Sequence, residues 1–80
     1  MKTLERLIFR VGQKVKWSSR VHRFTGTVVA VVPAGESPGP IADLLGFPDQ
    51  KFGGPRGQES YLVETEGRLY WPWAWKLEKV

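Results

Sequence analysis

Cysteine is absent from this 80-residue sequence and histidine occurs once, and both scarcities exclude classes of site. Without cysteine there is neither a disulfide nor a thiolate zinc site. A single histidine, His22, cannot build a histidine metal cluster. It also excludes a Ser-His-Asp triad that needs a second histidine in addition to the catalytic one. No other grouping of residues indicates a catalytic centre. The sequence therefore predicts a non-enzymatic protein with no catalytic residues, no metal and no cofactor.

Long apolar runs are also missing. No stretch approaches the ~18 consecutive apolar residues of a membrane-spanning helix. Residues 1–6 carry charges where a secretion signal requires an apolar run. We therefore expect a cytoplasmic protein that has no membrane partner.

The chain is short enough to form one domain, which we assign to residues 1–80. Domains usually have about 100–150 residues, and a smaller core is marginal unless a metal, a disulfide or a partner chain supports it. Near the start, Leu4, Leu7 and Ile8 recur at a helical period, although the same segment also suits a strand. Self-association into a homo-oligomer is therefore an expectation from size.

Charge is distributed unevenly along the sequence. Residues 1–32 contain seven Lys and Arg against one Glu, a balance of 7 − 1 = +6. Residues 33–80 contain five Lys and Arg against seven carboxylates, a balance of 5 − 7 = −2. A basic half attracts polyanions, and nucleic acid is the usual partner of this kind. A solvated basic face that binds nothing is the alternative, and the sequence leaves both open.

Alternation of polar and apolar residues, broken by turn signals, predicts an all-β chain. Val15 and Trp17 share one face of the first strand. A long β-branched run predicts the second strand, within which Gly26 indicates a bulge or a bend. Glu66-Gly67 predicts a two-residue turn, and residues 18–23 are expected to form a polar, basic loop. The predicted strands are 13–17, 24–32, 59–65, 68–71 and 77–80, with a 3₁₀ turn at 73–76.

Residues 33–58 interrupt the strands with a segment that we call the insertion. It holds 11 of the 15 Gly and Pro residues of the chain, and loops of this length are uncommon in compact domains. Pro40 suits the first turn of a helix and Gly46 suits its end, so a short helix at residues 40–45 is predicted. Residues 53–57 are expected to be a flexible linker. The insertion either packs on its own domain or serves as an arm that binds a partner.

Four segments resemble the sequence pattern of SH3-like small β-barrels of the Tudor and KOW kinds. The pattern is G-x-x-V-x-W, G-x-V-V-x-V, Y-x-V and an aromatic-proline pair before a leucine. The residues that carry it are Val11-Gly12-Gln13-Lys14-Val15, Gly26-Thr27-Val28-Val29, Ser60-Tyr61-Leu62-Val63 and Tyr70-Trp71-Pro72 through Leu77. The resemblance implies a five-stranded SH3-like barrel with the insertion between strands 2 and 3. This fold hosts many unrelated activities.

The plasmid-encoded type B dihydrofolate reductases, SH3-like barrels that assemble as homotetramers around a pore, are similar in architecture. Their segment Gly-Asp-Arg-Val-Arg-Lys resembles residues 12–17, and their Tyr-Ala-Val-Glu-Ser-Glu resembles residues 61–66. Their active segment Val-Gln-Ile-Tyr-Pro falls on residues 68–72. There Leu69 replaces the pore glutamine and Trp71 the tyrosine, while Trp17 replaces the pore lysine. Loss of the glutamine amide leaves its hydrogen-bond partners unpaired, so reductase activity is only an outside alternative.

Aromatic residues are the second distinctive feature, with four Trp in 80 residues. A barrel of this size cannot bury every Trp, so some are expected to be partly exposed. Exposed aromatic rings stack on bases or anchor protein interfaces. The predicted core consists of Val15, Val28, Ala30, Val63, Leu69 and Leu77.

Two binding functions follow from these features. The first is a nucleic-acid-binding barrel, in which basic residues contact phosphate and aromatic rings stack on bases. Its predicted residues are Lys14, Lys16, Trp17, Arg20, His22, Arg23, Tyr70 and Trp73. The second is a protein-interaction or inhibitor module of a bacterial or phage accessory system, which uses the insertion and further aromatic residues. Its predicted residues are Ile41, Leu44, Leu45, Phe47, Trp71 and Trp75.

Overall fold

A computed structural model of the chain describes residues 9–48 and 50–80 as five antiparallel strands with almost no helix. The elements are β1 (Lys14–Ser19), β2 (His22–Val32), α1 (Gly39–Leu44), β3 (Ser60–Thr65), β4 (Arg68–Tyr70), a 3₁₀ turn (Ala74–Lys76) and β5 (Glu78–Lys79). The strand order is β4-β3-β2-β1-β5. The all-β prediction with five strands is confirmed. The helical expectation at residues 4–8 lies outside the described residues.

The sheet is curled but open. Strand β2 pairs with β1 up to Thr27 and with β3 from Thr27 onward, so it belongs to both halves of the sheet. Within the described residues β4 and β5 do not pair with each other. The ring of Tyr70 in β4 nevertheless lies with its centroid 5.7 Å from that of Trp17 in β1 and 5.3 Å from that of Phe24 in β2. The curl therefore brings the two halves together through side chains.

Gly26 marks a close approach of two strands rather than a bulge. The expected bulge lies further along β2, where the pairing with β3 shifts register between Val28 and Ala30. A Cβ atom built on Gly26 lies 2.6 Å from the backbone oxygen of Glu64 and 2.7 Å from Cγ1 of Val63. Glycine is required here because atoms of β3 occupy the position that a Cβ atom of residue 26 would take.

Substitution Gly26→Ala should lower the free energy of unfolding by about 1–3 kcal/mol, because the added methyl group forces β2 and β3 apart. Urea unfolding measures this change. Gly57→Ala is the matched control, because a Cβ atom at Gly57 meets nothing within 4 Å. Equal midpoints for the two variants contradict the close approach.

Both hairpin turns contain two residues. Glu66 and Gly67 have φ angles of 51° and 79°, as a type I′ turn requires, and this turn prediction is confirmed. The loop predicted for residues 18–23 is wrong, because Ser19 pairs with His22 and only Arg20 and Val21 form the turn. His22 and Arg23 are thus held in β2, and Arg20 lies in the turn itself.

Each face of the sheet carries one cluster of buried apolar side chains. The inner cluster consists of Phe9, Val15, Trp17, Val28, Tyr61, Val63 and Leu77. The outer cluster consists of Val32, Ala42, Leu62 and Leu69. Five of the six predicted core residues are buried, and the sixth, Ala30, is partly buried against the outer cluster. Strand β3 is buried on both faces because Tyr61 and Val63 point inward while Leu62 points outward.

The insertion covers the outer cluster. Its helix α1 begins one residue before the predicted helix and places Ala42, which is buried, against Leu62 and Leu69. Ile41 and Phe47 are partly buried against the same cluster. The insertion thus packs on its own sheet, over the half formed by the second part of β2 with β3 and β4.

Candidate functional site

The other half of the outer face, formed by the β1–β2 hairpin, is polar and basic. In β1 the buried residues alternate with exposed Lys14, Lys16 and Ser18. Their partners in β2 are Thr27, Thr25 and Arg23 respectively. Successive residues of a strand point to opposite faces, so these six side chains share one face. We call it the basic face.

Few carboxylates lie near the cations of the basic face in the part of the chain that the structure describes. Residues 6–35 contain no Asp or Glu at all. No cation of the basic face forms an ion pair with another described residue. A surface groove of about 270 Å³ runs between Lys16 and Arg23, and its one acidic lining residue is Glu78. Glu78, opposite Lys16, and Glu64, opposite Thr27, border the face, so the described part of the face keeps a surplus of positive charge.

The remaining predicted basic residues lie apart from this face. Arg20 is exposed at the hairpin turn, where its φ angle is 57°. His22 pairs with Ser19 and has its ring 6.3 Å from that of Phe24, on the inner side of the hairpin. The structure thus brings together Lys14, Lys16 and Arg23, places Arg20 beside them at the turn, and separates His22 from them.

Two of the three predicted stacking aromatics pack into the inner cluster. Trp17 is only 6% exposed and stacks on Phe24 with ring centroids 5.1 Å apart and planes at 16°. Tyr70 is half-buried against the same two rings. Trp17 also points away from Lys14 and Lys16, because it alternates with them along β1. Both rings therefore pack on the inner face of the sheet, opposite the face that carries the cations.

Trp73 is 44% exposed, yet one face of its ring is occupied by Arg56 from the insertion. The Arg56 guanidinium carbon lies 3.8 Å from the Trp73 ring centroid and 3.7 Å from that of Trp71. The guanidinium also donates to the backbone oxygens of Trp71 at 2.9 Å and Pro72 at 3.2 Å. Burial lowers the pKa of Arg56 from its usual range. The expected flexible linker at 53–57 is therefore tied to the end of β4.

Gln50 makes a second attachment of the insertion. Its side-chain oxygen accepts from the backbone N–H of Leu69 at 2.7 Å, and its side-chain nitrogen donates to the Leu69 oxygen at 3.1 Å. The amide thus takes the place of a neighbouring strand on the edge of β4. Sequence reasoning missed Gln50 and Arg56. The one signal for Arg56 in the sequence was that the Gly/Pro-rich segment contains a single arginine, which in a chain rich in Trp can pack on an indole ring.

The predicted partner-binding residues divide into two groups. Ile41, Phe47 and Trp71 are partly buried against the outer cluster, and the Trp71 indole N–H donates to the Ser60 hydroxyl at 2.7 Å. The exposed group is Leu44 (89%), Leu45 (39%) and Trp75 (67%). Only this second group is free for a partner.

Among the residues that the structure describes, no three His, Asp or Glu side chains are grouped so as to hold a metal ion. In the same part of the chain, no helix has the length and apolar character to cross a membrane. No protein-family model matches the chain, and neither a curated protein nor a solved structure matches it significantly.

Proposed function

We propose that this protein is a non-enzymatic, cytoplasmic module that binds nucleic acid through the basic face of the β1–β2 hairpin. The single observation that carries the proposal is the division of the outer face. The insertion covers the apolar half, while the half with Lys14, Lys16 and Arg23 stays uncovered, and none of these three cations forms an ion pair with another described residue. Arg20 extends this charge to the turn.

Phosphate contact is the mode of binding that the geometry favours. The exposed side chains of the basic face are cations and hydroxyl groups, which supply most phosphate contacts in protein–DNA complexes, and contacts to phosphate carry no sequence information. Because Trp17 and Tyr70 pack inward, base stacking beside the cations is not part of the proposal. Binding is therefore expected to depend little on sequence and strongly on salt.

A fluorescence polarisation titration with labelled single-stranded and duplex oligonucleotides tests the proposal. Four phosphate contacts give a slope of log K against log salt of roughly −3 to −4, so affinity should fall about 100-fold between roughly 50 and 200 mM salt. The variant Lys14→Gln should lower the slope by about one unit. Lys51→Gln is the control, because Lys51 is exposed in the insertion. An affinity that does not respond to salt contradicts the proposal.

We also infer that the curled sheet is an SH3-like barrel. The strand order, the 3₁₀ turn before β5 and the contact of Tyr70 with Trp17 support this inference. The long insertion between β2 and β3 then corresponds to an expanded loop of such a barrel. The reductase alternative gains no support, because Leu69 is buried in the outer cluster rather than presented to a ligand.

A second candidate function, protein interaction including self-association, is favoured by the exposure of Leu44 and Trp75. Large apolar side chains left in solvent are common at protein interfaces. Light scattering over a range of protein concentrations tests self-association. A mass above one chain that Leu44→Ser reduces supports it, and the mass of one chain throughout contradicts it.

A further inference from the structure

Next to the hairpin turn, the basic face holds a compact two-by-two array of side chains. Lys16 lies opposite Thr25, and Ser18 lies opposite Arg23. All four are exposed and line the same groove. Opposed residues have Cβ atoms about 5 Å apart and diagonal neighbours about 7–8 Å. The two cations therefore lie on one diagonal of the array and the two hydroxyl groups on the other.

This arrangement matches the chemistry of a single phosphate group. A phosphate presents several acceptor oxygens, and each of the four side chains of the array can donate a hydrogen bond to it. The guanidinium of Arg23 donates in a planar fork, and the ammonium of Lys16 donates as a compact charge. The hydroxyl groups of Ser18 and Thr25 each add one donor. The site is an open groove on the surface. A nucleic-acid strand can therefore place one phosphate in it and extend beyond it in both directions.

We propose that this array, which we call the phosphate cradle, anchors one phosphodiester group of the bound nucleic acid. The inference rests on the proposed function and adds that the phosphate contacts are unequal. Lys14 and Arg20 lie outside the array and each contact a flanking phosphate singly, whereas the cradle holds one phosphate group among four side chains. Without a cradle, the basic face attracts nucleic acid by charge alone and its hydroxyl groups contribute nothing.

Glu78 makes the Lys16 end of the cradle less favourable for an anion than the Arg23 end. It pairs with Lys16 across β1 and β5 and lines the groove. Its carboxylate repels an anion on the Lys16 side, so the phosphate is expected nearer to Arg23. Replacement by Gln removes this repulsion and should strengthen oligonucleotide binding about twofold to threefold at low salt.

The variant Thr25→Val separates direct contact from charge. It removes a hydroxyl group without changing charge, and valine is well accepted at an exposed strand position. Affinity for an oligonucleotide should fall about threefold to tenfold, the usual net effect of losing one hydrogen bond at a solvent-exposed site. The salt slope should remain that of the wild type. The matched control is Thr65→Val, the same change at a strand position of β3 that lies outside the basic face.

Two further readouts complete the test. Arg23→Gln should weaken binding more than Lys14→Gln at the same salt, although both remove one charge. Inorganic phosphate, followed by amide chemical shifts of the full chain, should perturb Ser18, Arg23 and Thr25 before Lys14.

The outcomes of these experiments separate the two proposals. Wild-type binding with equal affinities for Thr25→Val and Thr65→Val, and equal losses for Arg23→Gln and Lys14→Gln, overturns the cradle and leaves the proposed function standing. No oligonucleotide binding by the wild type at the lower salt overturns both.

Discussion

Trp17→Ala should lower the free energy of unfolding by about 3–5 kcal/mol, the usual cost of emptying an aromatic position in a core. Trp17 is buried, stacks on Phe24 and touches Tyr70 across the curl of the sheet. Removal of its ring therefore leaves a cavity between the two halves of the sheet. Small domains are stable by only about 5–15 kcal/mol, so much of the total is lost. Urea unfolding followed by circular dichroism measures the change.

Two variants keep this test informative. Trp75→Ala removes the same ring from a site that is 67% exposed, and its stability should stay within about 0.5 kcal/mol of the wild type. Trp17→Phe retains part of the core and should stay folded with oligonucleotide affinity close to that of the wild type. A folded Trp17→Phe variant that loses oligonucleotide binding at unchanged stability shows instead that the Trp17 ring contacts the ligand.

The strands were predictable because their signals are local. Alternation along β1 and the Glu66-Gly67 turn specify pairing over a few residues. The same alternation also separates Trp17 from Lys14 and Lys16, because neighbouring strand residues face opposite sides. Grouping all three into one site conflicts with a rule that the sequence itself supplies. The basic face was therefore predictable from strand parity, and the stacking role of Trp17 was not consistent with it.

The attachment of the insertion could not be predicted from local patterns. Gln50 contacts Leu69 and Arg56 contacts Trp71 across separations of 19 and 15 residues. Neither residue belongs to a periodic segment, and glycine neighbours favour flexibility on composition alone. Gly26 is similar, because its requirement comes from Glu64 in another strand. Such contacts depend on how the sheet curls, which only the assembled fold determines.

Arg56→Ala should release the insertion from the end of β4 and lower the free energy of unfolding by about 2–3 kcal/mol. The variant loses two charge-assisted hydrogen bonds to backbone oxygens and the packing of the guanidinium between two indole rings. Phe52 packs its ring edge-on against Trp71 in the same segment, with centroids 6.1 Å apart. Chymotrypsin cleavage after Phe52 should therefore accelerate in the variant, and tryptophan fluorescence should change as Trp71 and Trp73 gain solvent.

The control variants distinguish the geometry of Arg56 from its charge. Arg56→Lys keeps the positive charge but lacks the planar fork that donates to two oxygens while stacking on both rings, so it should lose most of the same stability. Lys51→Ala removes an exposed cation from the same insertion and should leave cleavage and unfolding unchanged. If Arg56→Lys has the unfolding free energy and the cleavage rate of the wild type, charge alone holds the insertion. If both Arg56 variants lose stability and Lys51→Ala does not, the stacked guanidinium itself holds the insertion against the apolar half of the outer face.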